Sequence, residues 1–551
     1  MSLSPARMGL YWETVRHLRP VQFYGRLWFR AVRPRADLRA APGLRRDGAF
    51  AWAAPAQRRQ SLFGPGEFRF LGETRLLDEC GWDDPAVPKL WRYNLHYFDD
   101  LNAEGAAARV QWHGALIERW IAQNPPGRGS GWEPYPTSLR VVNWIKWARA
   151  GNALSPAAVH SLAVQVRWLR RRLEYHLLGN HLFANAKALI FAGCFFEGAE
   201  AESWLARGIH ILSKEIPEQI MADGGHFELS TMYHVLALED VLDLLNIMRS
   251  VGTSYQWPAV AGGLEGCVEK MRGWLVAMCH PDGEIAFFND AAIGIAPAPR
   301  DMEAYAARLG FAPVAEAGAG RTWLPDSGYI RLQGPRAVAL LDVARVGPDY
   351  LPGHAHADTL SFELSVDGRR ALVNSGTSVY GNGPERLRQR GTAAHNTVTV
   401  DGENSSEVWS GFRVARRARP RGLAVSQDGD EWIVACAHDG YRRLAGRPLH
   451  RREWRFGENR LVVSDTVEGG GSARAAFHFH PDLSPSVAED GRSGTLSSGA
   501  GAVLRWRVDK GVARVEPSTW HPEFGASLPS FRLLVTLSGG ESVVEFSWTS
   551  S

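Results

Sequence analysis

The spacing of apolar residues changes character once along this chain, near Asp326. From about residue 105 to 310 they recur three or four apart, which buries one stripe of a helix. From Gly328 onward they alternate, which buries one face of a strand. A chain that groups its helices and then its strands does not build an interleaved parallel sheet, so the expected class is α + β with the two halves in separate domains. Candidate helices fall near 106–123, 137–150, 156–177, 182–197, 200–216, 230–250, 259–279 and 300–309, on short connections marked by Pro, Gly, Asn and Asp. Helices joined by short loops make antiparallel hairpins, and a row of hairpins can curve into an (α/α) toroid, an incomplete barrel with a cleft. Short strands from Tyr329–Leu332 to Phe531–Leu537, with turns such as Val366-Asp367-Gly368-Arg369, predict a C-terminal antiparallel β-sandwich.

At 551 residues the chain exceeds one hydrophobic core. The expected divisions are 1–95, a helical and extended segment packing on the toroid, then 96–325, the toroid, and 326–551, the sandwich. Pro5 to Val32 reads as two short helices separated near Pro20, and Glu67–Leu71 as a strand. A net charge of +3 argues against a dedicated nucleic-acid or membrane-surface protein, and no run of 18 apolar residues predicts a membrane span. Five scattered Cys give neither a disulfide framework nor a thiolate zinc site. The N-terminal stretch lacks the apolar core of an export signal, so the chain as written reads as cytoplasmic, or as periplasmic where a longer start precedes it. The 21 Trp supply either core bulk or platforms for sugar rings.

Chemistry concentrates in a few stretches. Gly353-His354-Ala355-His356-Ala357-Asp358 opens a strand-like alternation, which would set His354, His356 and Asp358 on one face as a metal or proton-transfer cluster. His395 heads another strand, and Asn374 lies 18 positions after His356, so these three could form a three-ligand metal site. Trp132-Glu133-Pro134-Tyr135 through Arg140 reads either as a helix entry or as a sugar platform, Trp132 and Tyr135, with a cation for an acidic group. Asn180-His181 would project an amide and an imidazole from a helix start, with Asn180 at the cap position. Ser230 would cap a helix whose first turn carries Tyr233, where the helix dipole favours a phenolate.

Asn180-His181, Phe227-Glu228-Leu229-Ser230 with Tyr233-His234, His354-Ala355-His356-Ala357-Asp358 and Ala394-His395-Asn396 together resemble the heparinase II/III family of polysaccharide lyases. The resemblance implies a toroid followed by a sandwich, an acidic polysaccharide or oligosaccharide as substrate, and β-elimination at a uronic acid. Asn180 and His181 would neutralise the uronate carboxylate, Tyr233 would protonate the leaving oxygen or serve as both base and acid, and His354 would be the base for the opposite epimer. Trp132, Tyr135, Arg140, Glu228, His234 and Arg390 are the expected substrate contacts. His356, Asn374 and His395 would hold one structural zinc or other divalent cation, with no organic cofactor; the family has a carboxylate where this chain has Asn374. Three rivals remain: a metallo-β-lactamase-like hydrolase, which has a second His where this chain has Thr359; a glycosidase using Asp282, Glu284 or Glu228; and a non-catalytic protein of an exopolysaccharide system.

Overall fold

The computed structural model describes residues 5–45, 51–251, 258–499 and 501–548; Met1–Ser4, part of the stretch read for an export signal, lie outside them. The helices are α1 (Pro5–Val15), α2 (Pro20–Ala31), α3 (Leu77–Cys80), α4 (Lys89–Tyr97), α5 (Val110–Gln123), α6 (Pro134–Arg149), α7 (Pro156–Arg170), α8 (Gly179–Phe195), α9 (Ala199–Gln219), α10 (Thr231–Ser250), α11 (Pro258–Ala277) and α12 (Pro299–Arg308). Local chemistry sets their starts. Pro opens α6, α7 and α12, where a missing N–H costs nothing, while Ser155 and Ser230 cap α7 and α10 by accepting the N–H groups of Ala158 and Tyr233.

Helix α8 packs on α6, α9 and α10, and is buried nearly all round. It approaches α9 closely because Gly193 and Gly208 carry no side chain; a Cβ on Gly208 would stand 2.8 Å from the Ala186 carbonyl. The aromatics are mostly core: Trp91, Trp120, Trp144 and Trp204 are fully buried in the helical half, and Trp454, Trp506 and Trp548 in the strand half.

Among the described residues the strand half holds a two-stranded ribbon, Val408–Trp409 with Arg413–Val414, and three larger antiparallel sheets. One has five strands in sequence order, from Gly320–Leu324 through Phe362–Val366 to Arg369–Leu372. Another has eight, and the third places Ala473–His478 between Leu528–Thr536 and Val398–Val400. Leu449–Phe456 is a central strand whose alternation is hidden in the sequence, because its inward residues include His450 and Arg452, both paired with buried Asp465. Pro384–Arg390 (α13) is a helix that the strand pattern did not anticipate.

Three expected elements differ. The helix expected over 156–177 ends at Arg170, and the chain then turns before Leu178, whose φ of +64° starts α8 three residues early. Asn180 is therefore inside the first turn of α8, and Leu178 holds the cap position. The His354 stretch is a loop, with the strand beginning only at Phe362.

Candidate active site

A cleft of about 890 Å³ opens between the two halves. Asn180, His181 and Tyr233 line it from the helical side, His354 and Tyr380 from the strand side. Four non-glycine residues in left-handed backbone flank it: Leu178 ahead of Asn180, Leu229 after Glu228, Asn289 beside Asp290, and Leu360 after the histidine loop (φ +57° to +64°). Each costs on the order of 1 kcal/mol or more, and such strain persists only where surrounding contacts dictate the backbone.

His354 and Tyr233 stack face to face, with ring centroids 3.9 Å apart. Glu228, only 2% exposed, holds the Nδ1 side of His354, which leaves Nε2 for the cleft. Burial alone would raise the Glu228 carboxyl, but His354, with His226 and His181, keeps it below the ordinary range. Glu228, expected as a substrate contact, lines the cleft and also holds the histidine from behind. The Tyr233 hydroxyl meets the Tyr380 hydroxyl at 3.1 Å. Burial, then Tyr380, Asp290 and Glu228, push the Tyr233 phenol well above its usual value, so the phenolate expected from the helix dipole is disfavoured and the hydroxyl keeps its proton.

His181 lies under the Tyr135 ring at 4.5 Å and donates to Glu174 from Nδ1 (3.2 Å). Burial opposes its charge, yet Glu174, and then Glu228 and Glu133, raise its pKa above the ordinary value. Glu174 is held in turn by the Asn185 amide (3.1 Å). The His181 ring, whose charged form is favoured, and the Asn180 amide line the cleft with an oriented His354 ring and a phenol, a set that suits removal of a proton next to a carboxylate.

Four expected contacts lie outside the cleft lining. Trp132 is core, packed against Trp120 and Trp168. Arg140 is fully buried, donates to Gln165, the His96 carbonyl and the Gly131 carbonyl, and stacks over Trp120 at 3.8 Å. His234 stacks on Trp274 and bonds the Met271 carbonyl; burial pulls its pKa down to about 3, so it is neutral. Arg390 clamps the histidine loop from behind through the Ala355 and Gly411 carbonyls. In each case a polar or aromatic side chain serves packing or backbone satisfaction. Asp282, offered for a glycosidase, pairs with Arg370 instead.

His356, Asp358 and His395 offer ligand atoms within 4.8 Å of one another, all buried. His356 Nδ1 faces His395 Nε2 at 3.2 Å, and the other side of His356 bonds Asp290 at 2.9 Å, which fixes its ring. His395 Nδ1 is buried beside the Gln389 backbone. Two imidazoles and a carboxylate fit a divalent cation. The expected third ligand, Asn374, is differently engaged: its amide donates to the Phe287 carbonyl (2.9 Å) and its oxygen accepts from the Asn396 N–H (3.2 Å). Asp358 supplies the carboxylate of the buried cluster.

Sequence windows did not expose Glu174, Tyr380, Asp290 or Arg386. Asp290 takes two donors from Arg386 besides His356, and is held far below the carboxylate range against its burial. Its N–H also donates to the His354 carbonyl at 3.0 Å.

The family model described as heparinase II/III N-terminus matches residues 112–306, and the model for the heparinase II/III-like C-terminal part matches 316–549. The chain belongs to the heparinase II/III family. A heparin-sulfate lyase of Bacteroides stercoris is 28% identical over 324 residues, 55% of this chain and 46% of that protein, so this chain spans about half the length of that relative. The FtsZ-localized protein C of Caulobacter vibrioides is 26% identical over 483 residues, 81% of this chain and 79% of that one. A crystal structure of heparinase III superposes with a TM-score of 0.67 at 18% identity, covering 88% of this chain and 80% of the other. That likeness supports the family's fold here, an incomplete (α/α) toroid followed by an antiparallel β-sandwich.

Proposed function

We propose that this family member is a polysaccharide lyase acting on a uronate-containing acidic polysaccharide by β-elimination. The observation that carries the reading is the stacked pair of Tyr233 and His354, one a neutral phenol and the other an imidazole oriented by Glu228, at a cleft wall shared with His181 and Asn180. In this scheme His354 Nε2 takes the proton from C5 of the uronate. The C5–H electron pair becomes the C4–C5 double bond, the C4–O4 bond breaks, and O4 takes the Tyr233 proton. His181, carrying a proton, and the Asn180 amide stabilise the negative charge that builds on the carboxylate. A divalent cation on His356, Asp358 and His395 would supply rigidity to the loop that carries His354.

Turnover is read as ultraviolet absorbance of the new double bond on a panel of uronate polysaccharides, which hydrolysis does not create. Tyr233→Phe keeps the ring and removes the donor, so it should fold normally and lose ~10²–10⁴-fold in turnover. A Phe variant retaining half the parent activity would remove Tyr233 from the proton-transfer role. The match to FtsZ-localized protein C over 81% of this chain and 79% of that one favours a second reading, in which the scaffold serves localisation instead of chemistry. A well-folded protein that gives no absorbance gain on any member of the panel selects that reading.

A further inference from the structure

Helix α2 is apolar on two opposite faces. Its inner face is fully docked: Gln22 donates to the Tyr350 carbonyl, Gly25 rides on His176, and Phe29 packs against the His176 ring at 4.3 Å. Arg172 stacks over Phe29 at 3.5 Å and bonds the Phe29 and Val32 carbonyls, which ties the helix end to the toroid. The outer face nevertheless carries Phe23, Tyr24, Leu27 and Trp28, at 49%, 62%, 71% and 67% exposure. Their i, i+1, i+4, i+5 spacing makes one continuous stripe. Helix α1 adds Met8 and Trp12, at 52% and 65%. A solvent-facing helix surface is ordinarily polar, so a stripe of this kind marks a contact with something else.

Charge around the stripe identifies the contact. Between Glu13 and Asp37 the sequence has no acidic residue and carries Arg16, Arg19, Arg26, Arg30, Arg33 and Arg35. Arg30 stands on the helix at the border of the stripe, and Arg30, Arg33 and Arg35 are exposed, while Arg26 lines the cleft. The chain-wide charge of +3 conceals this local excess. A second copy docking face to face would bring these arginines against their own equivalents, a like-charge contact. An anionic lipid surface suits both features, taking aromatic and Leu side chains at the headgroup boundary while Arg side chains reach the phosphates. No helix among the described residues is long and apolar enough to cross a bilayer, so the contact is peripheral. We propose that α1 and α2 form a docking face for the surface of an anionic lipid bilayer.

The test is co-sedimentation of the full-length protein with phosphatidylcholine vesicles, with and without phosphatidylglycerol, alongside light scattering without lipid. The expected result is binding about tenfold stronger to the phosphatidylglycerol vesicles, weakened by salt. The double substitution Leu27→Glu with Trp28→Glu should abolish it at unchanged melting temperature. Should that variant fail to fold, Arg30→Glu with Arg33→Glu carries the test and should weaken binding by a similar factor. Binding that is absent, indifferent to phosphatidylglycerol, or unaffected by a folded variant overturns the proposal. So does a lipid-free dimer that the same substitutions dissociate, which assigns the stripe to a second copy.

Discussion

Glu228 and Glu174 are both buried, and each takes one ring nitrogen of a histidine that faces the cleft. Around His181, the field of Glu174, Glu228 and Glu133 outweighs burial and raises the pKa. A raised histidine pKa means the charged form is stabilised in the folded protein. That contribution to stability is present in full below the ordinary value of 6.5 and is lost as pH rises through the higher folded value. In the proposed scheme the same proton serves carboxylate binding, so kcat/KM should fall on the alkaline side as His181 discharges. His181→Gln should lower kcat/KM at neutral pH and flatten that limb of the profile. A limb unchanged in position and depth in the Gln variant assigns it to another group.

At the scale of the element, the loop 353–361 shows what pattern reading reaches and where it stops. The His-x-His-x-Asp run is legible as three ligating side chains at alternate positions. Its geometry is not, because a loop has no periodicity to impose one face: His354 turns to Glu228, while His356 and Asp358 turn to His395 and Asn289. The order of helices and strands was equally legible, since each half buries one face with its own period. What stayed hidden was polar burial, as with Arg140, His234 and Arg452, where a charged or ionisable side chain satisfies internal carbonyls or a carboxylate and reads in sequence as surface or site. Asn374 is of the same kind, and its hydrogen bonds turn the metal expectation into a discriminating one. Asp358→Asn should strip bound divalent metal, measured by mass spectrometry of the purified protein, and lower the melting temperature. Asn374→Asp should add no metal and also destabilise, because a carboxylate there faces the Phe287 carbonyl that the amide now satisfies. Full metal retention in Asp358→Asn, with gain in Asn374→Asp, would return the site to His356, Asn374 and His395.

Across the whole molecule, His354 and Tyr233 come from different halves, so in the proposed scheme the chemistry depends on how the halves are joined. The segment 286–290 does much of that joining. The Phe287 and Asn289 N–H groups donate to Glu363 and Asp358, and the Asn289 side-chain oxygen accepts from the His356 N–H. Asp290 sits at the centre, between Arg386 and His356, with its N–H on the His354 carbonyl. Arg386 is fully buried, so Asp290→Asn leaves a guanidinium without its countercharge, and breaking such a pair costs ~3–5 kcal/mol. The variant should melt several degrees lower. It should also lose turnover by more than its unfolded fraction explains, measured at a temperature where circular dichroism shows both proteins folded, because the loop that aims His354 has lost its anchor. Lower melting with full turnover would make Asp290 a support of the fold alone. Unchanged melting and turnover would place the join between the halves elsewhere.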